Sequence, residues 1–74
     1  MSMLNEWLDE YDKLGENDRT ILRQAAVLEL EARGAITRRS DDVEYEMSKL
    51  WRFNDYDMNK TIQEAHDIVQ ARGK

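Results

Sequence analysis

Cysteine and proline are missing from this chain altogether, glycine occurs three times and histidine once. Without cysteine there are no disulfides and no thiolate metal sites, and redox chemistry loses its usual side chain. A single histidine, His66, leaves a histidine-based metal centre short of ligands. Any Ser-His-acid triad would have to use that one residue, which borders the apolar stripe of a helix. No two glycines lie near one another, so a glycine-rich phosphate loop is excluded. No apolar run approaches the ~20 residues of a membrane span. The amino terminus, MSMLNEWLDEYD, has no cationic stretch ahead of a hydrophobic one, as a secretory signal would. The expectation is a cytoplasmic protein that is not an enzyme and uses no metal or other cofactor. Sustained strand alternation is also missing, which leaves helices joined by short turns.

The segment that organises the rest is Asn17 to Gly34, read as a helix over about 18–33. Ile21, Ala25, Leu28 and Ala32 recur at helical spacing as a primary stripe, with Leu22, Ala26 and Leu30 as a second row and Val27 on a third side. A helix apolar most of the way round belongs in the middle of a small domain. Leu28 is expected at its centre. The chain of 74 residues allows one domain, 1–74, with one core and a thin stability margin.

Three further helices read as surrounding it. The first runs from about Met3 to Leu14, capped by Ser2, with Leu4, Trp7, Leu8, Tyr11 and Leu14 on one face. Gly15 reads as its left-handed terminator, Asn17 or Asp18 as the cap of the central helix, and Gly34 as that helix's terminator. After the short basic segment Ala35–Arg39, in which Ile36 could fold back as a plug, Ser40 reads as the next cap. The third helix carries Val43, Met47, Leu50 and Trp51 inward and ends around Phe53–Asp55. Asp55 or Asp57 caps a fourth helix with Met58, Ile62, Ala65 and Val69 in its stripe, Ile68 beside them and Gly73 at its end. The fold class expected is all-α, a small bundle of three to four short helices around the central one.

The net charge of −5 is unevenly spread. Residues 1–18 sum to −5, residues 19–40 to +3, residues 41–57 to −4 and the remainder to +1. Neighbouring segments alternate in sign, so antiparallel packing would set opposite charges along the seams. The overall acidity argues against nucleic acid or an anionic membrane as the partner.

Asp55, Asp57, Asn59 and Ile62 occupy the first, third, fifth and eighth places of a stretch that resembles the start of an EF-hand calcium loop. That resemblance implies calcium held by side-chain oxygens. Lys60, however, stands where the loop needs glycine for its sharp turn, and His66 where it needs a bidentate glutamate. A capping turn is the reading that fits these residues.

Three surfaces could carry function. Tyr45 and Phe53 point away from the Val43–Met47–Leu50 stripe, and with Tyr56, Lys49 and Arg52 they form an aromatic and basic strip. Tyrosine and arginine dominate binding hot spots, so this strip reads as the contact surface for another protein or for a second copy of the chain. Alternatively Asp41, Asp42, Glu44, Glu46, Asp55 and Asp57 could stand in for phosphates and block a nucleic-acid-binding protein. A third reading is a helix-turn-helix DNA binder using Arg33, Arg38 and Arg39 with Arg19 and Arg23, although the next helix opens with acids that phosphates repel. The favoured reading is a protein-binding regulator, adaptor or inhibitor. In size and acidity it looks like the small accessory proteins of phages and bacteria, a likeness of type only. Calcium titration should leave tryptophan fluorescence and the melting temperature unchanged. A saturable change at sub-millimolar calcium, lost in Asp55→Ala, would overturn the capping-turn reading.

Overall fold

A computed structural model describes residues 3–34 and 39–72. Ser2, Gly73, Ile36, Arg38 and most of the basic segment lie outside the described residues, as does the side chain of Leu4. Four helices follow in order: α1 (Met3–Asp12), α2 (Glu16–Ala32), α3 (Ser40–Phe53) and α4 (Met58–Arg72). There is no strand among the described residues, and no described helix is long and apolar enough to cross a membrane. The all-α bundle around the second helix is the architecture found: α2 lies against both α3 and α4, while α1 packs on α3.

The stripes on α1 and α3 face inward as their spacing requires. Trp7 is fully buried, Leu8, Tyr11 and Leu14 pack partly buried around it, and Val43, Met47, Leu50 and Trp51 all enter the core. The indoles of Trp7 and Trp51 meet at 5.6 Å and form the link from α1 to α3. Both indole N–H groups are buried without a hydrogen-bond partner among the described residues. Each orphan donor costs about 1–3 kcal/mol. Burying an aromatic ring of roughly 150–250 Å² at about 25 cal/mol per Å² returns about 4–6 kcal/mol, so packing prevails.

On α2 the expected order of rows is reversed. Leu22, Ala25, Ala26 and Leu30 are the buried residues, so the second row and one member of the first point inward. Ile21, Val27 and Leu28 are only partly buried, and Ala32 is exposed. With apolar residues on several sides, periodicity alone cannot say which side two neighbours will cover. Adjacent alanines at 25 and 26 offer the least bulk, and α3 and α4 close over that side. A similar rotation affects α4, where Thr61, Ala65 and Ile68 are buried and Met58, Ile62 and Val69 sit at the margin. Thr61 is admitted because its hydroxyl donates to the Asp57 carbonyl at 2.8 Å.

The helix ends divide in the same way. Gly34 has φ +78, the left-handed terminator expected of it. Asp57 caps α4: its Oδ1 accepts the Lys60 N–H at 3.2 Å and its carbonyl accepts the Thr61 N–H at 3.0 Å. Gly15 instead has φ −69 and ψ 164 and is itself the N-cap of α2, which starts ahead of Asn17 and Asp18. The chain leaves α1 through i to i−3 bonds, Lys13 N–H to the Glu10 carbonyl and Leu14 N–H to that of Tyr11, so no left-handed residue is needed there. Arg39 rather than Ser40 is the N-cap of α3.

Because Leu22 is fully buried and Leu28 is not, truncation should separate them. Leu22→Ala should cost about 2–5 kcal/mol, enough to unfold much of so small a domain, and Leu28→Ala distinctly less. Denaturant titrations of both variants test the placement, and equal losses would put the centre of the core elsewhere.

Candidate functional site

The outer face of α3 is set by its inner one. At roughly 100° per residue, the inward positions of Val43, Met47, Leu50 and Trp51 leave Asp41, Tyr45, Lys49 and Arg52 opposite, with Phe53 at one margin. Tyr45, Phe53 and Tyr56 are 58%, 78% and 52% exposed. No other large hydrophobic side chain among the described residues is as open to solvent. Tyr45, Lys49 and Phe53 follow one another at four-residue spacing. The Arg52 guanidinium lies over the Tyr45 ring at 5.9 Å, within cation–π range, which restrains both side chains.

The third aromatic is set apart from the other two. Tyr56 turns its ring onto Trp51 in an edge-to-face contact at 5.1 Å. Trp51 leaves α3 roughly 160° round from Phe53, so Tyr56 does not extend the Tyr45–Phe53 strip. The turn that places it ends α3 by two bonds, Asp55 N–H to the Arg52 carbonyl at 3.2 Å and Tyr56 N–H to the Trp51 carbonyl at 3.0 Å. That is the bond pattern of a Schellman cap, and the Trp51–Tyr56 contact is the apolar pair that goes with it. Both Asp55 and Tyr56 have φ +58. Left-handed backbone costs a non-glycine residue about 1–2 kcal/mol, least for Asp and Asn.

A cleft of about 220 Å³ opens beside the strip, where α2, α3 and α4 converge. Leu50 lies in it with Lys49 and Phe53, and Glu29, Arg33, Glu46 and Glu64 supply its charges. Most of these charges are already engaged. Arg33 pairs with Glu46 across α2 and α3, Arg72 reaches Glu29 at 2.9 Å, and Asn54 donates to Glu64 at 2.6 Å. Lys49 holds no partner among the described residues. Sequence reading identified Lys49 and Phe53 but not this cleft, because nothing in the order of residues places Glu29 and Glu64 beside them.

Glu46 is buried, not on the outer acidic surface that its place in the sequence suggests. It is 4% exposed and hydrogen-bonded to Arg33. The hydrogen bond and charge of Glu46 in turn hold the Arg33 guanidinium above its ordinary value. A helix position near the margin of an apolar face can be covered if a cation reaches it, and Arg33 does so from the end of α2. Asp57 is half-buried and committed to its cap, Asp55 is exposed in the left-handed turn, Asp41 is exposed, and Asp42 and Glu44 are half-buried. Of the six acidic residues, Glu46 is thus withdrawn from the surface and Asp57 is committed to a cap. Of the arginines, Arg33 is engaged, Arg19 and Arg23 line a separate cleft, and Arg38 lies outside the described residues. His66 is exposed on α4. Among the described residues no three His, Cys, Asp or Glu side chains gather closely enough to hold a metal ion.

Compared with protein-family models, with curated proteins and with solved structures, the chain shows no significant match to any. Its surfaces must be read on their own chemistry. One consequence of the turn can be measured directly: Asp55→Gly should raise stability by about 0.5–1 kcal/mol by relieving the left-handed strain. A chemical-denaturation curve resolves that difference. A loss instead would mean that the Asp55 carboxylate contributes more to the turn than its backbone costs.

Proposed function

We propose that this chain is a cytoplasmic protein-binding module, an adaptor, regulator or inhibitor without catalysis of its own, and that it meets its partner through the outer face of α3. The observation that carries this reading is the exposure of Tyr45 and Phe53, 58% and 78%, on one helix. Scattered apolar groups on a surface need no explanation, but two large rings on one face, with a cleft beside them, favour an occupant. Phe53 offers area at the cleft margin, Leu50 continues the apolar surface inward, and Lys49 supplies a charge without a partner among the described residues. Tyr45 is steadied by Arg52 and would lose little freedom on binding. Another protein is the partner this chemistry suits, and a second copy of the chain falls within the same reading.

The acidic-mimic reading has less support, since Glu46 is withdrawn beneath Arg33 and Asp57 is spent on a cap. The DNA-binding reading loses Arg33 to the same pair.

A double substitution, Tyr45→Ser with Phe53→Ser, tests the proposal. Both side chains are mostly in solvent, so the melting temperature should stay within a few degrees. Association should weaken by about 2 kcal/mol or more, roughly thirtyfold. Sedimentation of parent and variant reads self-association. Capture from the native host, identified by mass spectrometry and repeated with the variant, reads other partners. Unfolding of the variant would show that the rings belong to the core, and undiminished binding would move the partner surface away from α3.

A further inference from the structure

A second cleft lies at the opposite end of α2, where its first turns face the end of α1. Tyr11, Glu16, Arg19, Thr20 and Arg23 line about 300 Å³ there. Arg19 and Arg23 are one turn apart and share a side of the helix. The same side continues at helical spacing into Ala26 and Leu30, both buried. One row of α2 is therefore core at its C-terminal end and a cationic cleft at its N-terminal end. Among the described residues neither arginine holds an ion pair or a side-chain hydrogen bond, although Glu16 lies in the same cleft. In a chain of net charge −5, two adjacent guanidiniums without a partner among the described residues stand out.

We propose that this cleft binds a carboxylate carried on an apolar group, with the carboxylate on Arg19 and Arg23 and the apolar part against Tyr11. Guanidinium forks match carboxylate oxygens in plane and spacing, and charge-assisted hydrogen bonds of this kind are the strong ones. Two arginines and one glutamate leave the cleft at +1, which a monoanion neutralises. A dianion such as phosphate meets the opposing charge of Glu16. The Tyr11 ring is half-buried and lies 5.5 Å from the fully buried Trp7, so the wall it forms is held in place. Thr20 adds a hydroxyl donor at the lining. The volume is at the small end for ligand sites and suits an aryl or branched-alkyl acid, or the last residue of a peptide. This site shares no residue with the α3 strip, and its test is independent of that reading.

The probes are 3-phenylpropionate and its neutral amide, added to isotope-labelled full chain. The readouts are the Nε–H resonances of Arg19 and Arg23 and the indole resonance of Trp7, which touches Tyr11. The acid should produce a saturable shift at all three, and the amide should not. Arg19→Gln combined with Arg23→Gln should weaken binding at least about tenfold with the melt unchanged. Arg23→Gln alone, at an exposed position, should weaken it measurably even if the double variant fails to fold. An acetylated peptide ending in phenylalanine, with free or amidated terminus, separates the two sources of such a carboxylate. Binding of the free-terminus peptide at least as tight as that of the acid identifies a protein chain end, and binding of the acid alone identifies a small molecule. The proposal is overturned if the acid gives no saturable shift, if the amide binds as well, if the glutamine variants bind like the parent, or if inorganic phosphate binds as tightly.

Discussion

Everything in this bundle depends on how closely α3 and α4 can approach α2. The side of α2 they cover is made of Leu22, Ala25, Ala26 and Leu30, where two small residues lie between two large ones. Alanines at the middle let the facing helices come near, and the leucines then fill the space above and below. Val43, Met47 and Leu50 from α3 and Ala65 and Ile68 from α4 belong to the same cluster. At this size the margin between folded and unfolded is narrow, so each of these contacts is a large fraction of the total. α1 joins last in this hierarchy, attached through the Trp7 indole on Trp51.

The two ends of α2 then take different roles. Its C-terminal end is stitched on both sides, by Arg33 to Glu46 of α3 and by Glu29 to Arg72 of α4. The first of these pairs is the more consequential, because Glu46 is buried and would be left as an uncompensated charge without its cation. The Glu29–Arg72 pair is more open and contributes within the ~0–1 kcal/mol usual for exposed pairs. At the N-terminal end, no such stitch exists among the described residues, and Arg19 and Arg23 look into a cleft instead.

α3 shows the same economy across its width rather than along its length. Its inner face is spent on the core, and its outer face carries Tyr45, Lys49, Arg52 and Phe53 over a scaffold held from behind. A side chain projecting from a packed helix is more precisely placed than one on a loop, so the open aromatics have defined positions relative to the neighbouring cleft. The left-handed pair Asp55–Tyr56 adds a strained but bonded turn, and that turn presses Tyr56 onto Trp51 instead of releasing it toward Phe53.

Much of this was legible in the order of residues. The four helices, the inward faces of α1 and α3, a cap at Asp55 or Asp57 and the terminator at Gly34 all follow from local periodicity and backbone preference, which act over a few residues; the structure chose Asp57 for the cap. So does the exposure of Tyr45 and Phe53, since it is the complement of a face that periodicity already identifies. Alternation of charge along the chain anticipated the α2–α3 pair but not the polarity of the α2–α4 pair, in which α2 supplies the acid. The tertiary structure alone decided which side of α2 turned inward, because a helix apolar on several sides leaves that to where its neighbours lie. It also decided that Thr61 enters the core, that Glu46 sinks beneath Arg33 and that Tyr56 parts from Phe53. Those outcomes, like both clefts, depend on what another helix brings across the gap, and local sequence carries no measure of that distance.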